Sequence, residues 1–150
     1  MRKMMMLATA AVLMTMAGSA FAAEVQVKML NRGAEGVMVF EPALVKVAPG
    51  DTVKFISTDK GHNAETIKGM LPADAVPFVG KNGEDISVVF DKPGVYGVKC
   101  LPHYGMGMVA MVVVGTPDNV DAAKTVAQPG KAKQVMAGLF DRLAAQMAQK

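Results

Sequence analysis

One cysteine, Cys100, is all that the 150-residue chain carries, so no disulfide can form within it. Charge of one sign is not in excess either. Sixteen lysines and arginines face 13 acidic residues, a formal +3, far short of the surplus that a nucleic-acid-binding surface needs. No internal repeat and no low-complexity tract interrupts the sequence. Missing too is a convincing membrane span: crossing the bilayer core takes about 20 apolar residues, and the N-terminal run 4–17 is shorter and ends in small residues. These absences leave a single domain of ordinary size and one thiol that needs an explanation.

What is present begins with an export signal. Arg2 and Lys3 supply a positive start, residues 4–17 are uncharged and mostly apolar, and Ala20-Phe21-Ala22 has the small-residue form of a cleavage site. The expected division is a cleaved segment 1–22 and a domain 23–150. No cysteine lies near the cut to carry a lipid, so the mature chain is expected to be soluble. Cleavage removes two basic and no acidic residues, leaving 14 against 13 and a net charge of +1. Six methionines leave as well, from a total of 14. An unpaired thiol in an oxidising compartment is a liability unless it has a task.

Residues 24–30 alternate, with Val25, Val27 and Met29 on one face, the period of a half-buried strand that Asn31-Arg32-Gly33 then breaks. Further strands are expected over 37–40, through Leu44, Val45 and Val47, over 52–57 after the Pro49-Gly50-Asp51 turn, and over 86–90 and 95–99. Glycines and prolines between 58 and 85 point to loops with at most one helical turn. The nearly unbroken apolar run 109–114 suits a strand buried on both faces. Many short strands divided by turns imply a mainly β sandwich or barrel. The tail differs: 119–127 and 131–149 read as helices, and Val135, Leu139, Leu143 and Met147, with Met136 and Phe140 beside them, form an apolar stripe. That stripe is expected to pack as a lid on the sandwich, since a membrane-surface helix wants a polar face richer in lysine and arginine.

The chemistry is concentrated in 100–108, Cys-Leu-Pro-His-Tyr-Gly-Met-Gly-Met. A thiolate, an imidazole and thioethers so close together make a soft to borderline donor set, which suits copper better than zinc, calcium or magnesium. Cys100 ends one strand, Met108 starts the next, and His103 lies between. The other histidine, His62, falls 38 residues before Cys100 in a loop that can reach the same end of the fold. Two imidazoles and a thiolate in a plane, with a long axial thioether, serve both copper oxidation states and leave no open position for substrate. Met106 and Met108 are both spaced to be the thioether. Met108 is preferred because it begins the buried strand, which places Met106 near the surface beside His103.

Met29-Leu30-Asn31-Arg32-Gly33, Phe40-Glu41-Pro42, Pro49-Gly50-Asp51-Thr52-Val53, Lys60-Gly61-His62-Asn63 and the whole 100–108 loop together resemble the cupredoxin, or blue copper, family. The resemblance covers essentially all of the mature chain. It implies a Greek-key sandwich of about eight strands with two C-terminal helices, one copper ion held by His62, Cys100, His103 and Met108, and a monomeric electron carrier of the periplasm rather than an enzyme. It also implies that Asn63 ties the two ligand loops together and donates to the cysteine sulfur; Pro102 has no N–H to offer.

In such carriers electrons leave by the edge of the later histidine, here His103, inside an apolar patch that Leu101, Pro102, Met106 and Met38 would supply. Arg32, Lys60 and Lys99 would surround it with positive charge and steer an acidic partner. The implied acceptor is copper nitrite reductase or another periplasmic reductase, and the donor a cytochrome c or similar protein. A copper chaperone or storage protein would use the same donor types but wants exposed, clustered methionines, and the eight remaining ones are dispersed. A cysteine hydrolase could pair Cys100 with either histidine, yet the strand-loop-strand setting offers no helix N-terminus to acidify the thiol.

Overall fold

Strand β1 (Glu24–Gly33) is the longest, and it continues past the break expected at Asn31. Its extension is held from outside: Gly33 pairs with Gly36 of β2 (Gly36–Glu41), and the Glu41 carboxylate accepts the Ala34 N–H at 2.8 Å. The turn therefore falls at 34–35. Gly33 is required there, because a Cβ would approach Val39 Cγ2 to 2.7 Å. The remaining strands are β3 (Leu44–Val47), β4 (Asp51–Ile56), β5 (Glu65–Thr66), β6 (Ile86–Phe90), β7 (Gly94–Lys99) and β8 (Val109–Val114), followed by α1 (Val120–Lys124) and α2 (Ala132–Met147). This computed structural model describes residues 21–149. Most of the expected export segment, residues 1–20, lies outside the described residues, as does Lys150.

The eight strands form two four-stranded sheets, ordered β2-β1-β4-β6 and β3-β8-β7-β5. Parallel pairings of β1 with β4 and of β3 with β8 show that the chain crosses between the sheets rather than running as a meander. The mainly β, Greek-key sandwich with two C-terminal helices is thus the observed architecture. β5 was missed in the sequence because two residues are too few to show a period; it exists because Glu65 pairs with Lys99 of β7.

Every residue of β8 is buried, and its two faces meet different cores. Ala110, Val112 and Val114 point between the sheets, where they join Val27, Met29, Val53 and an aromatic series. In that series Phe55 stacks on Phe78 at 5.8 Å and Phe90 meets the edge of Tyr96 at 4.9 Å. Val109, Met111 and Val113 face outward onto Ala132, Met136, Leu139, Phe140 and Leu143 of α2. The continuous apolar run is explained by this double burial, at roughly 1.5–3 kcal/mol for each large side chain removed from water. α2 is the expected lid, its buried stripe set one turn toward the N-terminus along the expected face: Ala132 is buried and Met147 is 43 % exposed.

Candidate metal centre

His62 lies in the loop after β4, just beyond Gly61, whose φ of +90° turns the chain inward. Its ring is fully buried. Nε2 lies 2.9 Å from Asn31 Oδ1, and because a side-chain carbonyl only accepts, Nε2 carries the proton. Nδ1 is left with its lone pair directed into the site. There it stands 3.1 Å from His103 Nδ1 and 3.7 Å from Cys100 Sγ. The third side of the triangle, Cys100 Sγ to His103 Nδ1, is 3.5 Å. A point equidistant from the three atoms lies about 2.0 Å from each, the length of a metal–imidazole bond.

The donor chemistry fits that point. Two ring nitrogens facing one another at 3.1 Å repel unless a cation or a proton lies between them. A soft thiolate as third donor selects a soft or borderline metal. His62 is held neutral, since burial and then the neighbouring His103 push its pKa down, with only partial compensation from Asp59. Burial drives the Cys100 thiol up, against the pull of the main-chain N–H groups of Asn63 and His103. The thiol keeps its proton until a cation takes that place.

The loop is a 3-10 helix, Leu101–Met106, where the sequence suggested irregular chain. Cys100 N–H donates to Met108 O at 3.0 Å, His103 N–H to Cys100 O at 3.2 Å and Met108 N–H to His103 O at 3.2 Å. Gly107, at φ +94°, makes the reversal before β8; Gly105 has no such conformation. A helical turn therefore does begin beside Cys100, contrary to expectation, yet burial outweighs it and the thiol is raised rather than activated. That opposes a hydrolytic nucleophile. Met108 is fully buried and Met106 is 48 % exposed, the placement inferred from sequence.

Asn63 ties the two loops as anticipated: its Oδ1 accepts the Leu101 N–H at 2.8 Å. Its amide is spent on Glu65 and Gly80 O, so what it offers the sulfur is main-chain N–H. Asn31 was read only as a turn residue. Nothing local distinguishes it, because its partner His62 is 31 residues away and meets it only through the pairing of β1 with β4. Leu101, Pro102 and Met106 lie exposed around half-buried His103, while Met38 packs partly into the core. Lys99 needs correcting as a free steering charge. Its ammonium lies 3.4 Å from Glu65 and 5.0 Å from the Tyr104 ring centre, because β5 brings a buried carboxylate opposite it.

The sequence profile described as copper binding proteins, plastocyanin/azurin family, matches residues 27–115. Pseudoazurin of Paracoccus pantotrophus is 51 % identical over 130 residues, which span 86 % of this chain and 90 % of that one. Pseudoazurin of Methylorubrum extorquens is 56 % identical over 126 residues, 83 % and 85 % of the two chains. The solved pseudoazurin of Methylobacterium extorquens AM1 superposes with a TM-score of 0.78 at 55 % identity, over 80 % of this chain and 98 % of that one. The soft donor triangle at one end of a two-sheet sandwich agrees with all of these, and the chain accordingly belongs to the plastocyanin/azurin family of copper-binding proteins, blue-copper electron carriers rather than enzymes.

Proposed function

We propose that His62, Cys100, His103 and Met108 are the copper ligands of this chain, and that it carries single electrons between redox proteins of the periplasm. The observation that supports this reading best is the approach of His62, Cys100 and His103, whose donor atoms all lie within 4.8 Å of one another. Met108 is offered as the axial thioether because it is buried where β8 begins, with its main chain hydrogen-bonded to both Cys100 and His103. When bound, copper supplies the one-electron couple. The protein's part is to keep two imidazoles and one sulfur at a fixed spacing, so that little moves as the charge changes. Asn31 and Asn63 fix His62 and the loop of Cys100 from behind.

Residues 1–22 are proposed as a cleaved export signal and 23–150 as the mature, monomeric domain. Among the described residues no helix is long and apolar enough to cross a membrane. The exposed Leu101, Pro102 and Met106 around His103 form the docking face. Its acceptor would be copper nitrite reductase or another periplasmic reductase, and its donor a cytochrome c or similar carrier. Such contacts are small and short-lived. Full burial of His62 and Cys100 counts against a copper chaperone, which needs exchangeable donors. The ligand set is tested by reduction potentials: Met108→Gln is expected to retain copper and lower the potential, and Met106→Gln to leave it unchanged. The opposite pattern would move the axial position to Met106.

A further inference from the structure

Beyond the donor atoms, a second set of contacts grips the loop from the helical side. The Tyr104 hydroxyl donates to Gln128 Oε1 at 2.6 Å, and Gln128 Nε2 lies 3.0 Å from Met70 Sδ. Met70 is fully buried and seated on β7: a Cβ at Gly97 would come 2.7 Å from Met70 Sδ. Main-chain bonds lock the same place, with Gly97 N–H donating to Met70 O and Ile67 N–H to Gly97 O, each at 2.8 Å. A single half-buried amide, in the link between α1 and α2, thus connects the turn carrying His103 with β7, the strand that leads into Cys100.

Its neighbours act in the same direction. Lys131 N–H donates to Gly105 O at 2.9 Å. A Cβ at Gly130 would come 2.4 Å from that same oxygen, and one at Gly107 would come 3.0 Å from Val135. At Gly130 the α1–α2 link is packed against the loop too closely for a side chain. A surface lid would need none of this.

We propose that Gln128 is a positioning residue for the metal loop. By joining Tyr104 to Met70, it braces the His103 turn against β7 and so keeps two donors on different elements at one separation. The residue touches none of the donors and acts through Tyr104. The proposal rests on the ligand set proposed above, but its deciding test needs no metal.

Amide hydrogen exchange is followed in the metal-free full domain and in its Gln128→Leu, Tyr104→Phe and doubly substituted variants. The Gly107 and Met108 amides, whose acceptors are the Tyr104 and His103 carbonyls, report on the loop. The amides of β8 report on global stability. Loss of one hydrogen bond is expected to speed exchange at Gly107 and Met108 about tenfold in either single variant while β8 stays unchanged. The double variant should exchange no faster than the singles, because both remove the same link. Copper-loaded Gln128→Leu should also show a visible spectrum displaced from that of the parent. Unchanged loop exchange, a rise shared equally by β8, or additive effects would each overturn the brace whatever the spectrum does. A wrong ligand set would instead appear in the spectrum of the copper-loaded parent.

Discussion

Cys100 meets two opposed demands. Burial disfavours its thiolate, while the proposed role as copper ligand requires it, so binding there would exchange a proton for a cation. The sign follows directly. A thiol pKa raised above its ordinary value leaves the metal-free side chain protonated at neutral pH, and each unit fall in pH weakens copper binding about tenfold through this group alone. Titrating the metal-free protein with copper at pH 8 in weak buffer should release a proton from the cysteine. A copper stoichiometry of one with no proton released would mean that sulfur is not a ligand. Cys100, His103 and the two candidate methionines were legible because they share nine residues. His62 was legible as the remaining histidine. Asn31 and the capture of Lys99 by Glu65 were not, because each depends on a partner from a distant strand, which no local pattern encodes.

Among the elements, apolar patterning located every strand of four residues or more, by alternation in most and by a continuous apolar run in β8, whose two faces are both buried. The two-residue β5 is below the reach of such a pattern, and the extension of β1 depends on the Glu41 side chain capping a turn seven residues away. For α2 both the period and the face were right, and only the extent of the buried stripe differed. The stripe read from sequence ran on to Met147, whereas the buried stripe begins at Ala132 and stops at Leu143. This difference is measurable by chemical denaturation. Leu143→Ala, 1 % exposed against the outer face of β8, should cost about 2–5 kcal/mol through lost burial and the cavity left behind. Met147→Ala should cost under about 0.5 kcal/mol, as for other exposed positions. Equal costs would show that the buried stripe extends to Met147, as read from the sequence.

For the whole molecule, composition excluded large classes of partner but could not locate the docking face. With a formal charge of only +3 over the full chain, recognition by an acidic partner must rely on a local grouping. Arg32 and Lys60 are exposed and remain available, whereas Lys99 is held by Glu65. Electron transfer to an acidic redox partner should therefore slow as salt rises. Lys60→Glu should slow it severalfold at low salt, with the gap closing at high salt. Stopped-flow mixing checks both, and a rate indifferent to salt and to Lys60 would remove electrostatic steering. The sandwich itself was legible because short strands and turn residues dominate the chain. Which sheet each strand joins was not, since the parallel pairings of β1 with β4 and β3 with β8 are set by packing across the core.

In the proposed centre His62, His103 and Met108 hold one copper ion together with the Cys100 sulfur in its thiolate form. The visible absorption spectrum of the copper-loaded protein tests it most directly. The expected result is an intense thiolate-to-Cu(II) band that bleaches on reduction, returns on reoxidation and is lost in Cys100→Ser. A copper-loaded protein without that band, or one whose band survives the loss of Cys100, would contradict it.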